Sequence, residues 1–176
     1  ATDAVIDLNI FYDLHTTRAD ALDSLALKAD WLANEINLCV TPELFNEIDR
    51  LDSQSARTAQ KKWAHDYLRI SGPPDEFRRA HRVLFALFGG QASRQQDSDL
   101  RHLAHVTASG SQFFVTKDGG ILSHKDEIES QLDVTVLHPA ELIVHVDEIR
   151  NNTAYQPARL KGSHLYLGRL TSAMVS

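Results

Sequence analysis

Cysteine is nearly missing from this 176-residue chain, with Cys39 the only one. That excludes an internal disulfide framework and every metal site built from several cysteines. It fits a reducing compartment, so a cytoplasmic location is expected. Basic residues are scarce too: 18 Lys and Arg stand against 24 Asp and Glu, for a formal net charge of -6. A strongly basic nucleic-acid binder is thereby excluded. Net charge says little, however, about a site in which carboxylates gather around a cation that supplies the missing positive charge. Long apolar runs are absent as well. The longest, Val83 to Phe88, falls far short of the roughly 20 residues needed to span a bilayer, so no membrane partner is expected. No secretory signal is read at the start, although Ala1 in place of methionine leaves a removed leader open.

What is present is ordinary globular composition, 43% hydrophobic and 24% charged, at a length that suits one domain. Four short runs rich in β-branched, aliphatic or aromatic residues predict buried strands: Ala4 to Leu8, Ile36 to Val40, Gln112 to Thr116 and Asp133 to Leu137. Apolar residues three and four apart predict helices over Ala21 to Ala33, Pro42 to Leu51, Ser55 to Leu68, Glu76 to Phe88 and Ser98 to Ala108. Strands separated by helices imply parallel crossovers, hence an α/β fold: a three-layer α/β/α sandwich with a mainly parallel central sheet. Ser71-Gly72-Pro73-Pro74 and Gly89-Gly90 read as helix breaks. A boundary is expected near Asn151-Asn152, giving a domain over residues 1–150 and, over 151–176, a C-terminal arm or the start of a further domain.

In a parallel sheet, ligands bind outside the carboxyl ends of the strands, and acids stand there. Strand one runs into Asp7, with Asn9 two residues on. Strand two ends at Thr41-Pro42, a helix start in which Thr41 caps and Pro42 takes the first position. On that helix Glu47 lies about 90° from the centre of the apolar face and Glu43 roughly 130°, which puts Glu47 on the core border. The same construction puts Asp99 about 90° from the apolar face of its helix, while Asp97 reads as the cap before it. Strand three runs through Thr116 and Lys117 into Asp118. Gathered carboxylates repel one another unless a cation compensates them. A donor set of oxygens alone favours Mg2+ or Mn2+ and suits hydrolysis of a phosphodiester by metal-activated water.

Four motifs in this order, Asp7-Leu8-Asn9, Thr41-Pro42 with Asn46-Glu47-Ile48, Asp99-Leu100 and Val115-Thr116-Lys117-Asp118, resemble those of the PIN-domain nucleases over about residues 4–138. The resemblance implies a metal-dependent endoribonuclease, in either a toxin branch or an RNA-processing branch. Asp7, Glu47, Asp99 and Asp118 would then be the acidic quartet that binds Mg2+ or Mn2+ and carries catalysis, with Asn9 propping the first aspartate and the Thr116 hydroxyl near the last. It further implies RNA as substrate, and an antitoxin protein or a second copy of the chain as partners. The alternative is a non-catalytic PIN-like module that binds RNA or protein.

Other residues carry weaker signals. Arg50, Arg57, Lys61 and Lys62 are the densest basic group and the expected substrate contacts, set against a plain reading as solvated helix surface. His102 and His105, three apart, have a chelating spacing, but without a third partner they read as surface or packing residues. Trp63 and Tyr67 read as core or partner-facing aromatics.

Overall fold

The computed structural model describes the backbone of residues 1–163 and the side chains of residues 1–152. Two compact units are distinguished, Ala1–Leu142 and Ile143–Ser176. In the first, five parallel strands form one sheet: β1 (Thr2–Ile6), β2 (Ile36–Val40), β3 (Leu68–Arg69), β4 (Phe113–Val115) and β5 (Thr135–Leu137), in the order β3-β2-β1-β4-β5. Helices α1 (Leu8–His15), α2 (Leu22–Leu25), α3 (Pro42–Asp49), α4 (Gln54–Ala64), α5 (Pro74–Leu87), α6 (Arg94–Ser109), α7 (Gly119–Leu122) and α8 (Lys125–Leu132) connect the strands. The expected parallel α/β architecture is therefore present. The chain winds outward from β1 to β2 and β3, then restarts on the other side of β1 with β4. That reversal opens a crevice at the carboxyl ends of β1 and β4.

The core follows from the strand composition. Val5, Cys39, Phe114 and Val136 are buried on the sheet, packed with Leu84 of α5, Leu100 and Leu103 of α6 and Ile128 of α8. Several boundaries depart from the periodicity. Leu8 leaves the first strand because Asp7 caps a helix, its side chain accepting from the Ile10 amide. The stretch Ala21 to Ala33 is not one helix. Ala29 adopts extended backbone, and two short 3-10 turns place Leu27 and Leu32 in the core. The helix expected to reach Leu68 stops at Ala64, and Leu68–Arg69 instead pair with Cys39 and Val40. Helix α6 starts at Arg94, earlier than expected, under a reciprocal cap between Ser93 and Gln96. Asp97 is thus no cap; it lies in the first turn and pairs with His81 and Arg101.

Helix α9 (Pro139–Ser163) runs through the boundary expected near Asn151-Asn152. In the second unit Val144 and Ile149 are exposed. The remainder of the expected C-terminal segment, residues 164–176, lies outside the described residues. Among the described residues no helix is long and apolar enough to cross a membrane.

Candidate functional site

Each predicted acid stands on an element that fixes its direction. Asp7 leaves β1 and caps α1, so its Oδ1 accepts from the Ile10 amide at 2.9 Å. Asp118 leaves β4 and caps α7, and its Oδ2 accepts from the Ile121 amide at 2.9 Å. Thr116 joins the two: its hydroxyl donates to Asp7 Oδ2 at 2.5 Å and accepts from the Asp118 amide at 3.0 Å. The threonine expected near the last aspartate is therefore a bridge between the first and the last. Asn9 departs from its expected role. Asp7 is propped by Thr116 and its own helix, whereas Asn9 is exposed and its carbonyl accepts from Arg18.

Glu47 comes from α3, whose start is as read: Thr41 caps it and Pro42 follows. The side chain is 6% exposed, and its Oε1 lies 2.6 Å from Nε2 of His102, a fully buried residue of α6. His102 Nδ1 lies 2.8 Å from the Thr41 hydroxyl, which itself accepts from the Glu43 amide. A hydroxyl that accepts from the amide is free to donate to Nδ1, which leaves Nε2 to donate to Glu47. Burial opposes a charge on His102. The hydrogen bond to Glu47 and the carboxylates of Glu47, Asp7 and Glu43 outweigh it and raise its pKa above the usual imidazole value. His102, expected at the surface or in plain packing, is thus part of the acid centre.

Asp99 reaches the same place from α6, held by a long hydrogen bond from Gln95 at 3.3 Å. Its carboxyl is pushed up to about 7 by burial and by the charges of Asp7, Asp118 and Glu47, with His102 acting in the opposite direction. Asp7 is raised as well: burial outweighs its hydrogen bonds from Thr116 and Ile10. Asp99 therefore feels three acids that come from three other segments. Among the described residues, no three Asp, Glu, His or Cys side chains already stand as a ready ligand shell for a metal ion. What the donor set offers is charge and hardness. A carboxyl raised by neighbouring carboxylates, as Asp99 is, marks a place a hard dication would compensate, and Asp7, Asp99 and Asp118 are the acids not already occupied by an imidazole.

Two cavities flank Asp118. One, of about 270 Å³, opens between Asp99 and Asp118 over Leu100 and Ile121, beside the rings of Phe88 and His124, whose centroids lie 4.3 Å apart. The other, of about 530 Å³, is polar and contains Arg18 and Lys117.

The basic group expected to contact substrate is largely committed elsewhere. Arg50 donates to Ser98 at 2.7 Å and faces Glu43 at 3.4 Å. Glu43, expected on the outward side of its helix, is buried and accepts from Ser98 at 2.8 Å. Arg57 donates to the Leu51 and Asp52 carbonyls, and Lys61 pairs with Asp49 at 2.5 Å. Lys62 is exposed on α4. Trp63 stacks on His15, with centroids 5.2 Å apart, and the Tyr67 hydroxyl lies 2.7 Å from His15 Nε2, so both half-buried aromatics pack against the end of α1. Arg18 and Lys117 are 99 residues apart and escape the sequence reading as a pair because only the sheet topology brings Lys117 to Asp13 and Asp20, beside Arg18.

No family model and no curated protein matches the sequence. Solved structures do resemble the fold. VapBC2 from Rickettsia felis, crystallised bound to a DNA fragment from its promoter, matches with a TM-score of 0.50 at 12% identity, over 78% of this chain and 98% of the other. VapBC-5 from Mycobacterium tuberculosis, a member of the VapBC family of toxin-antitoxin systems, gives 0.48 at 14% identity over 78% and 99%. FitAcB from Neisseria gonorrhoeae gives 0.46 at 15% identity over 77% and 97%. The five-stranded parallel sheet and its flanking helices are those of the PIN-like fold.

Proposed function

We propose that this chain is a metal-dependent endoribonuclease of PIN type, which hydrolyses RNA phosphodiester bonds at the centre formed by Asp7, Glu47, Asp99 and Asp118. The observation that supports this reading is the linkage among these acids. Asp7 and Asp118 share one threonine hydroxyl, and Asp99 feels the charges of Asp7, Asp118 and Glu47. Such an arrangement weakens an apo protein and suits a bound cation. Mg2+ or Mn2+ held by Asp7, Asp99 and Asp118 would polarise the phosphate and lower the pKa of a bound water. On the protein's side, Thr116 and the amides of Ile10 and Ile121 fix the directions of two carboxylates. His102, 2.6 Å from Glu47 Oε1, fixes the direction of that carboxyl beside the other three.

The fold shared with VapBC2 supports a narrower version of this reading, a toxin held by an antitoxin protein. It predicts growth arrest on expression, relieved by a co-expressed partner.

A second reading, a non-catalytic module with the same fold, is favoured by one feature: the His102 pair already occupies Glu47. Mn2+ titration by calorimetry separates the two, because only the nuclease needs the ion. The decisive experiment uses Asp7→Asn and Asp118→Asn on single-stranded RNA with Mn2+. Loss of cleavage by at least about 100-fold is expected, in line with removing a group that stabilises the transition state. Variants as fast as the parent sink the nuclease reading.

A further inference from the structure

The polar cavity beside Asp118 is organised around a carboxylate that the hydrolytic centre does not use. Asp13, on α1, is 1% exposed. Its Oδ2 accepts from the Ser24 hydroxyl at 2.6 Å and meets Lys117 Nζ at 2.6 Å, and its Oδ1 lies 3.3 Å from Arg18 Nη1. Arg18 is held again by the Asn9 carbonyl at 3.0 Å, with its guanidinium 5.9 Å from the Tyr12 ring centroid. Lys117 is held again by the Asp20 carbonyl at 2.7 Å. One buried carboxylate thus faces two cations, and this trio keeps one positive charge.

Long basic side chains on a surface ordinarily sample many rotamers, and fixing them on a ligand costs entropy. Here the cost is met in advance by folding. The two heads stay accessible, with side-chain exposures of 39% for Arg18 and 22% for Lys117, and both open into the cavity of about 530 Å³ that reaches Asp118 and Gly119. A Cβ built on Gly119, which lines the cavity next to Asp118, would meet nothing within 4 Å. Two other acids border the space. Asp20 is exposed and screened by water, and Asp118 belongs to the centre where a cation is proposed.

We propose that Arg18 and Lys117, anchored by Asp13, form a subsite for the backbone phosphate next to the one cut at the acid centre of a single-stranded RNA. This rests on the nuclease reading for its register, because the cleaved phosphate is what places its neighbour. Lys117 adjoins Asp118 in the chain, so a strand crossing the crevice at Asp118 meets Lys117 and then Arg18. The cavity beside Phe88 lies on the other flank of Asp118 and has no lysine or arginine among its lining residues. The phosphates of a bound strand are therefore drawn to the Arg18 side.

The test is fluorescence anisotropy of a labelled single-stranded RNA on the full chain in EDTA, where nothing is cut, between about 50 and 200 mM salt. Arg18→Gln and Lys117→Gln are each expected to weaken binding about tenfold at the low end. Each should also flatten the salt dependence by roughly 0.7 of a logarithmic unit per logarithmic unit, the share of one phosphate contact on a single strand. Arg18→Gln leaves the Asp13 contacts to Ser24 and Lys117 in place, so it remains informative if Lys117→Gln folds poorly. Unchanged affinity and slope in Arg18→Gln, or a parent that binds no RNA, overturns the subsite. A parent that binds with these slopes yet takes up no Mn2+ supports the subsite and sinks the nuclease reading instead.

Discussion

Glu47 and His102, 55 residues apart in sequence, meet at 2.6 Å in the buried part of the protein. The pair clamps α3 to α6, and Thr41 completes it from the end of β2. Removing one member of a buried, hydrogen-bonded acid–imidazole pair costs more than the pair contributes, because the other is left in the interior without its partner. His102→Leu is therefore expected to destabilise the protein by about 3–5 kcal/mol, a fall of roughly 10 °C in the melting temperature of a chain this size. Thermal denaturation in EDTA checks this, and a fall below about 2 °C would show that the clamp carries no load.

Thr116 is the next element to test, since one hydroxyl serves both Asp7 and Asp118. Thr116→Val keeps the shape and removes the hydrogen bonds, whereas Thr116→Ser keeps them. Groups that orient metal-binding carboxylates are typically worth 10–100-fold in metal affinity. Calorimetry with Mn2+ should show that loss for valine and little change for serine. Equal behaviour of the two variants would reduce Thr116 to a strand residue.

The legible parts of this molecule were those set by local chemistry. The run Ile36–Val40 became β2 without a shift in its ends, and Thr41-Pro42 started α3 as capping rules require. Helix α1 was missed because its apolar residues follow β1 without a break, and only the cap at Asp7 marks the change of period. Strand β3 is two residues long, too short for any alternation to register. The acids were legible by position, at strand and helix ends. Their neighbours were not: His102, Asp13 and Arg18 acquire their roles from partners on other segments, which no spacing rule connects. The basic cluster around Arg57 was legible only as helix surface or substrate contact; its partners, nearby carbonyls for Arg57 and Asp49 for Lys61, come from the fold.

Asp99 makes stability depend on pH. Its carboxyl moves from an ordinary 3.8 to about 7 in the folded chain, first through burial and then through its acidic neighbours. The folded state thus holds this proton more tightly than the unfolded state. Its contribution is intact below about pH 4 and is lost as the pH rises toward 7. Asp99→Asn removes this contribution, so in EDTA the variant should gain on the parent between pH 5 and 8, by at most about 3 kcal/mol. Urea midpoints at the two pH values provide the measurement. A constant gap between parent and variant would contradict the assignment.

Cys39 offers a chemical check on the core. It is fully buried on β2 between sheet and helices, and burial, with a smaller contribution from Asp3, pushes its thiol up to about 12. Only the thiolate attacks a disulfide reagent, so the folded chain should show no titratable thiol at pH 8 over minutes, and one per chain in denaturant. Prompt labelling of the native protein would mean that the β2 face opens readily.

Gly72 tests the junction between β3 and α5 without touching the acid centre. A Cβ at this position would lie 2.0 Å from the Ala108 carbonyl oxygen and 2.8 Å from the Ser109 amide nitrogen, backbone atoms at the end of α6. Such atoms cannot rotate away as a flexible side chain would, so the loop or the helix end must move. Overpacking of this kind typically costs about 1–3 kcal/mol, and Gly72→Ala is expected to lower the melting temperature by roughly 3–10 °C. Gly119→Ala, where a Cβ meets nothing within 4 Å, is the matched control and should shift it far less. If both substitutions behave alike, the close approach of residue 72 to α6 is not part of the folded protein.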